Sequence, residues 1–355
     1  GDEFVGNYYV LFEKKHKEEV EELISNGISK EEAVNQSNTM KLAKETLKNW
    51  ENGDKEVRDI WKMMNDWVYV GFEETYNTLG VSFDKNYYES ETYLLGKEIV
   101  NYGLENNVFY KKEDSSIWVD LTDDGLDEKL LLRSDGTSVY MTQDLGTAKQ
   151  RIDDFPEIGG MVYTVGNEQD YHFQVLFKIL KRLGYKWANN LFHLSYGMVD
   201  LPTGKMKSRE GKVIDADDLV LQLIESVKET SQNLGKFQND NNAITEDTYR
   251  KIALGALKYF ILKVDPKKRI LFNPEESIDL SGNTGPFIQY TYVRIHSILN
   301  KLEKVENSKI IKYKLNEKEK ETIKCINRYN DIIKNAKDEL SPAIICNYLY
   351  DLVKT

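Results

Sequence analysis

The sequence predicts an α/β protein: a doubly wound parallel sheet in the middle of the chain, helices before it, and an all-α region after it. Three observations predict this. Apolar residues recur at helical spacing through the first third. Short β-branched runs alternate with helical runs between residues 117 and 195. From Asp217 onward the periodicity is helical again. With 355 residues, 40% of them hydrophobic, the chain can fill two or three cores.

The first third reads as helices. Val20, Leu23 and Ile24 form one apolar stripe, closed by Gly27 as a left-handed cap. Ser29-Lys30-Glu31-Glu32 has the form of a capping box, in which a hydroxyl and a carboxylate satisfy orphan backbone N–H groups. Val57, Ile60, Trp61, Met64, Val68, Phe72 and Leu79 then recur with helical period until Gly80. Trp50, Trp61 and Trp67 read as core of this region rather than as a cofactor platform.

In the middle, strands are expected at residues 117–121 and 129–132, then a turn at 134–137 and a helix at 139–151. A strand at 161–165, a helix at 173–183 closed by Gly184, and a strand at 192–195 follow. Strand–helix–strand–helix–strand at this spacing implies parallel pairing. Such sheets bind ligands at the carboxyl ends of their strands, where the loops after Val165 and Ser195 lie. Beyond them come helices, a polar stretch at residues 238–242, a helix start at Ser341-Pro342, and helical periodicity to the last residues.

Composition narrows the class. No apolar run approaches the roughly 20 residues of a membrane span, and the first residues lack a basic stretch followed by an apolar one. Cys325 and Cys346 read as buried thiols, without the four-ligand spacing of a zinc site, so no metal centre is expected and the expected compartment is the reducing cytoplasm. The net charge of −11 is uneven: −14 over residues 1–130 and +6 over residues 251–355. A basic end suits a polyanionic partner, and equally a solvated helical face.

Three segments carry candidate chemistry. In the run from Ser134 to Asp144, Tyr140 and Asp144 are four apart on one helix face. There a carboxylate can take a fork of guanidinium N–H donors, or the two can be an ordinary surface pair. The run from Gly166 to Phe173 packs polar residues into a strand-to-helix loop, as a ligand-facing edge or a helix cap does. The run from Gly197 to Lys212 sets glycines and a proline beside several cations. Mobile lysines can close on a triphosphate, although an exposed charged hairpin has the same composition; the Walker arrangement is absent.

Lys205-Met206-Lys207-Ser208 resembles the KMSKS loop of class I aminoacyl-tRNA synthetases. Ser134-Asp135-Gly136-Thr137, Asn167-Glu168-Gln169, and the block from Gly282 to Tyr290 followed by Arg294 resemble the arginyl-tRNA synthetase family, in the family's order and across the whole chain. The resemblance implies a Rossmann-like class I catalytic domain with a helical insertion, followed by a helical anticodon-binding domain. On this reading residues 1–115 are the insertion and 116–235 the second half of the catalytic domain. Residues 236–280 are a helical linker, and 281–355 the start of the anticodon-binding domain.

It also implies roles. Tyr140, Asp144 and Gln169 match positions that hold the arginine side chain. His172, Gly197, Met198 and Val199 fall to ATP, the last two through a strand edge that reads adenine by backbone groups. Lys205, Met206, Lys207 and Ser208 form the phosphate loop, with Lys205, Lys207 and Ser208 as the catalytic set. Asn283, Gln289, Tyr290 and Arg294 fall to tRNA. The implied reaction is ATP-dependent charging of tRNA(Arg) with arginine, magnesium accompanying the ATP, by a monomer. Alternatives are another class I synthetase or a non-catalytic RNA-binding paralogue.

Two departures stand out. The second KMSKS lysine position holds Ser208, with Lys207 one residue early. None of His16, His172, His193 and His296 sits in a His-x-Gly-His motif, so the chain is expected to be a fragment, inactive by itself.

Overall fold

A computed structural model describes residues 1–200, 215–233, 245–301 and 314–355. Four helices open the chain: α1 (Asp2–Ser25), α2 (Lys30–Gln36), α3 (Asn38–Glu51) and α4 (Lys55–Leu79). The Ser29 hydroxyl accepts the Glu32 N–H at 3.3 Å and donates to the Glu32 carboxylate at 3.0 Å, so serine and glutamate close on each other. Gly80 ends α4 at φ 65°, a left-handed conformation glycine adopts without a Cβ penalty. Glu19 of α1 accepts both the N–H and the hydroxyl of Thr39 at 2.7 Å, fixing α3 to α1. The tryptophans are less interior than expected. Trp50 and Trp61 pack at 5.2 Å between centroids, but Trp61 and Trp67 keep 39% and 36% of their surface exposed.

Next come α5 (Glu89–Glu105) and three short strands, β1 (Tyr110–Lys111), β2 (Ile117–Val119) and β3 (Lys129–Leu132), in one antiparallel sheet of order β1-β2-β3. The strand expected at 129–132 therefore does not begin the parallel sheet. The path from Val119 to Lys129 is a turn with Gly125 left-handed at φ 73°, too short for the crossover that parallel pairing needs. After α6 (Tyr140–Asp154), β4 (Met161–Gly166), α7 (Asp170–Arg182) and β5 (Leu191–Tyr196) form the predicted unit. β4 and β5 are parallel, Met161 opposite Leu191 through Gly166 opposite Tyr196, with α7 as the crossover.

One core joins these pieces. Leu131 from the antiparallel sheet, Leu121 just beyond β2, Leu145 from α6, and Leu176, Ile179 and Leu180 from α7 are fully buried. Each such side chain contributes roughly 1.5–3 kcal/mol of transfer free energy. α6 is held further by close approach to α5. A Cβ on Gly96 would lie 2.0 Å from the Thr142 carbonyl oxygen, and one on Gly146 would lie 2.6 Å from the Gly96 nitrogen, so neither position admits a side chain. The Thr142 hydroxyl also donates to the Leu131 carbonyl.

The chain continues as β6 (Val199–Asp200), α8 (Ala216–Asn233), α9 (Glu246–Leu262), β7 (Ile270–Leu271), α10 (Pro274–Ser277) and α11 (Gly285–Lys301). It finishes with α12 (Glu317–Asn327), α13 (Tyr329–Glu339) and α14 (Pro342–Lys354). It divides into two compact units, one of Gly1–Ser82, Asp200–Tyr259 and Phe272–Leu302, the other of Phe83–Val199, Phe260–Leu271 and Glu303–Thr355. Inside the first, Lys228 of α8 pairs with Glu246 of α9 at 2.8 Å. Inside the second, the Asn347 amide of α14 donates to the Lys263 carbonyl at 3.1 Å. Cys346 is buried, which pushes its thiol up, and Cys325 is half-buried. Among the described residues no helix is long and apolar enough to cross a membrane.

Candidate active site

The first site segment is set by its turn. Asp135 accepts the Thr137 N–H at 2.9 Å and its hydroxyl at 2.7 Å, which hold the Asp135 carboxyl below the usual carboxylate range. Arg133 donates to the Ser138 carbonyl at 2.8 Å. The helix can then begin at Tyr140, which is 76% exposed. Asp144, one turn on, shares that face and is about half exposed.

The second segment leaves the carboxyl end of β4 at Gly166, makes a 3₁₀ turn over Asn167–Gln169, and enters α7 at Asp170. Gln169 is exposed at the helix start and His172 lies one turn in. The two segments meet at one contact: the His172 Nε2–H donates to Asp144 Oδ2 at 2.6 Å. That contact brings Asp144 of α6 to His172 of α7; Tyr140 lies four residues before Asp144 and Gln169 three before His172.

Sequence reasoning missed the residues behind them. His193 of β5 donates from Nε2 to the Val165 carbonyl at 3.0 Å, so that nitrogen carries hydrogen. Its Nδ1 lies 3.4 Å from Asp170 Oδ1, and its ring sits 4.4 Å from that of Phe173. Tyr163 of β4 is pushed up by burial, opposed by the Arg151 guanidinium 5.3 Å from its ring centre. The Tyr171 hydroxyl donates to Asp127 at 2.6 Å with Lys129 over the ring at 4.4 Å, fastening α7 to the turn before β3. The available signal was the period of two, which puts Tyr163 beside Met161 and Val165, and His193 beside Leu191 and Ser195, on the strand faces.

The third segment follows β5. The Gly197 N–H donates to the Pro266 carbonyl at 2.7 Å, and a Cβ at residue 197 would lie 2.3 Å from the Lys268 carbonyl, so glycine is required there. The Met198 carbonyl accepts the Ile270 N–H at 3.0 Å. Strand geometry then turns the backbone groups of Val199 to the opposite edge. Met198 is 42% exposed.

Lys205, Met206, Lys207 and Ser208 lie outside the described residues. The expected tRNA residues fall in the first unit. The Asn283 side chain accepts the Tyr259 hydroxyl at 2.6 Å, and Gln289 donates to the Lys251 carbonyl at 3.2 Å, so both join α9 to the region of α11. Tyr290 and Arg294 are exposed, with the guanidinium 5.7 Å from the ring centre. Among the described residues no cluster of three or more His, Cys, Asp or Glu is placed to hold a metal ion.

The family model for the tRNA synthetases class I (R) catalytic domain matches residues 8–273, and the DALR anticodon binding domain model matches residues 288–355. The chain belongs to the class I arginyl-tRNA synthetase family. An arginine--tRNA ligase of Flavobacterium psychrophilum is 58% identical over 354 residues, which are 100% of this chain and 59% of that protein. One of Parabacteroides distasonis is 56% identical over 358 residues, 100% of this chain and 60% of that protein. The chain thus spans about three fifths of the length of these curated relatives.

Two solved arginyl-tRNA synthetases share the fold. That of Plasmodium falciparum has a TM-score of 0.72 at 20% identity over 90% of this chain and 56% of its own. That of Thermus thermophilus has 0.71 at 19% identity over 98% of this chain and 64% of its own. The family's class I catalytic fold and its helical anticodon-binding region are both present.

Proposed function

We propose that the protein containing this chain activates arginine with ATP and transfers it to tRNA(Arg). The observation that carries this reading is Asp144, an anionic side chain half open to solvent, fixed by His172 beside the carboxyl ends of the parallel strands. A carboxylate in that setting favours a cationic side chain, and a guanidinium can donate to its free oxygen in a charge-assisted hydrogen bond. Tyr140 and Gln169 offer a hydroxyl and an amide beside it. The arginine carboxylate attacks the α-phosphorus of ATP, the bond to pyrophosphate breaks, and arginyl-adenylate remains. A terminal ribose hydroxyl of the tRNA then attacks the acyl carbon, and AMP leaves.

The protein's part is orientation and charge stabilisation. The outward edge of Val199 suits adenine. Lys205 and Lys207, with Ser208, are positioned in sequence to meet the phosphates. Magnesium accompanies ATP, held by phosphate oxygens and water. Tyr290 and Arg294, on the more basic end of the chain, suit tRNA. We place the activity in the cytoplasm, in a monomer.

Arginine-dependent ATP–pyrophosphate exchange by the full-length protein tests the reading. Exchange with arginine alone among the amino acids is expected. Exchange with a different amino acid moves the protein within the class, and none at all makes it a binding paralogue. The chain by itself, which has no His-x-Gly-His motif, is expected to give no exchange.

A further inference from the structure

The geometry points to His172 as the positioning residue of the arginine pocket: it holds the Asp144 carboxylate in place, and arginine binds only when the imidazole is neutral, so that binding expels a proton. This rests on the proposed role of Asp144. The resemblance assigned His172 to ATP, whereas its ring nitrogen is spent on the carboxylate instead.

The 2.6 Å contact occupies Asp144 Oδ2, no described residue hydrogen-bonds Oδ1, and the Asp144 side chain keeps 46% of its surface exposed. A carboxylate only accepts, so Nε2 carries a hydrogen in either charge state of the ring. With a neutral ring the pair bears one negative charge, and a guanidinium docking on Oδ1 meets net attraction. With an imidazolium the pair is neutral and a cation stands within reach of the guanidinium, so attraction is replaced by repulsion. Binding and protonation then oppose each other reciprocally.

The surroundings leave His172 as the group that carries this effect. On its own helix, Asp170 faces His193 and the Tyr171 hydroxyl is bonded to Asp127, beside Lys129. From β4 comes Tyr163 with the Arg151 guanidinium on its ring, and from β5 comes His193, across Phe173 from His172. Of these groups, His172 is the one in direct contact with Asp144. It is shielded on one side by the edge-on Phe173 ring and keeps 23% side-chain exposure, enough to exchange a proton with solvent.

The test is calorimetry of arginine binding to the full-length protein without ATP, from about pH 5.5 to about pH 7.5, in two buffers of different ionisation enthalpy. Arginine binding should weaken as pH falls across that range, and binding at the acid end should release a proton to buffer. In His172→Gln the amide N–H can still donate to Asp144 but cannot gain charge. Its arginine affinity should be flat with pH, with no proton release on binding.

Wild-type binding that releases no proton, or pH dependence that survives in His172→Gln, overturns the inference while leaving the arginine pocket intact. A His172→Gln variant that binds arginine normally at every pH but loses ATP returns the residue to the nucleotide. Wild-type protein that binds no arginine at any pH overturns the pocket itself, and the inference with it.

Discussion

Helices α6 and α7 and helices α1 and α4 are written in similar amphipathic code and end in different surroundings. In 15 residues α6 buries Met141, Thr142, Leu145, Gly146 and Ala148, and in 13 residues α7 buries Phe173, Val175, Leu176, Ile179 and Leu180. In 24 residues α1 buries only Val20, and in 25 residues α4 buries only Gly71. Phe4, Tyr8 and Leu11 of α1, and Val70 and Phe72 of α4, are each more than half exposed. Periodicity thus specifies a helix and its apolar face, and says nothing about what covers that face.

The comparison can be broken most forcefully at the site itself. On the proposed role of Asp144, Asp144→Asn keeps size and removes the charge that would pair with a substrate guanidinium. The loss is on the order of 2–5 kcal/mol, or roughly thirtyfold to several thousandfold in arginine affinity. Kinetics of the full-length protein should show it in arginine use, with the Km for ATP little moved. Unchanged arginine use would remove Asp144 from the pocket.

Glycines sharpen the contrast. Gly96→Val drives two methyls toward the Thr142 backbone and should destabilise the protein by about 1–3 kcal/mol. Gly6 in α1 has nothing within 4 Å of a Cβ, so Gly6→Ala should stabilise by roughly 0.5–1 kcal/mol through helix propensity alone. Denaturant titration of both variants decides it: if the two shift stability alike, the packing difference between the regions is not real.

The smallest effect is electrostatic. Lys178, and secondarily Arg182, hold the Asp124 carboxyl below the usual range; Lys85 and then Tyr87 do so for Asp154, and Tyr110 and then Lys112 for Glu128. Folded values below unfolded ones mean stability that is present above the ordinary carboxylate range and lost as pH falls through the depressed values. The fluorescence of Trp118, whose ring carries Lys112 at 3.8 Å, should report loosening between about pH 5 and about pH 3. Asp124→Asn should flatten part of that slope, and a slope that does not change excludes the pair as a contributor.

Much of this was legible in the residues. The helix ending at Gly80, the β4–α7–β5 unit and the helix from Tyr140 follow from local periodicity and caps, and that unit lies close to where it was expected. The antiparallel pairing of β2 and β3 was not, because a short apolar run has no direction until its connection is measured; the tight turn at Gly125 decides it. The candidate site was legible as segments: Tyr140 and Asp144 on one helix, and Gln169 in its strand-to-helix loop. The hydrogen bond between His172 and Asp144 was not, since it joins residues 28 positions apart on different helices. No local pattern records such a distance. The roles of Tyr163 and His193 escaped for the same reason, each being ordinary in its strand and informative only once Arg151, Phe173 and Asp170 are beside it.

The crossing of α5 and α6 extends the site beyond the residues that line it. Asp144 is carried on α6 between Thr142 and Gly146, the two positions that Gly96 abuts. A helix is stiff along its axis, so a displacement forced at that crossing travels to the carboxylate almost undiminished. Any search for variants with altered amino-acid preference should therefore return substitutions at Gly96 and Gly146 as well as on the lining face. Those two positions act as a fulcrum, and the leverage on the pocket comes from side chains that are not there.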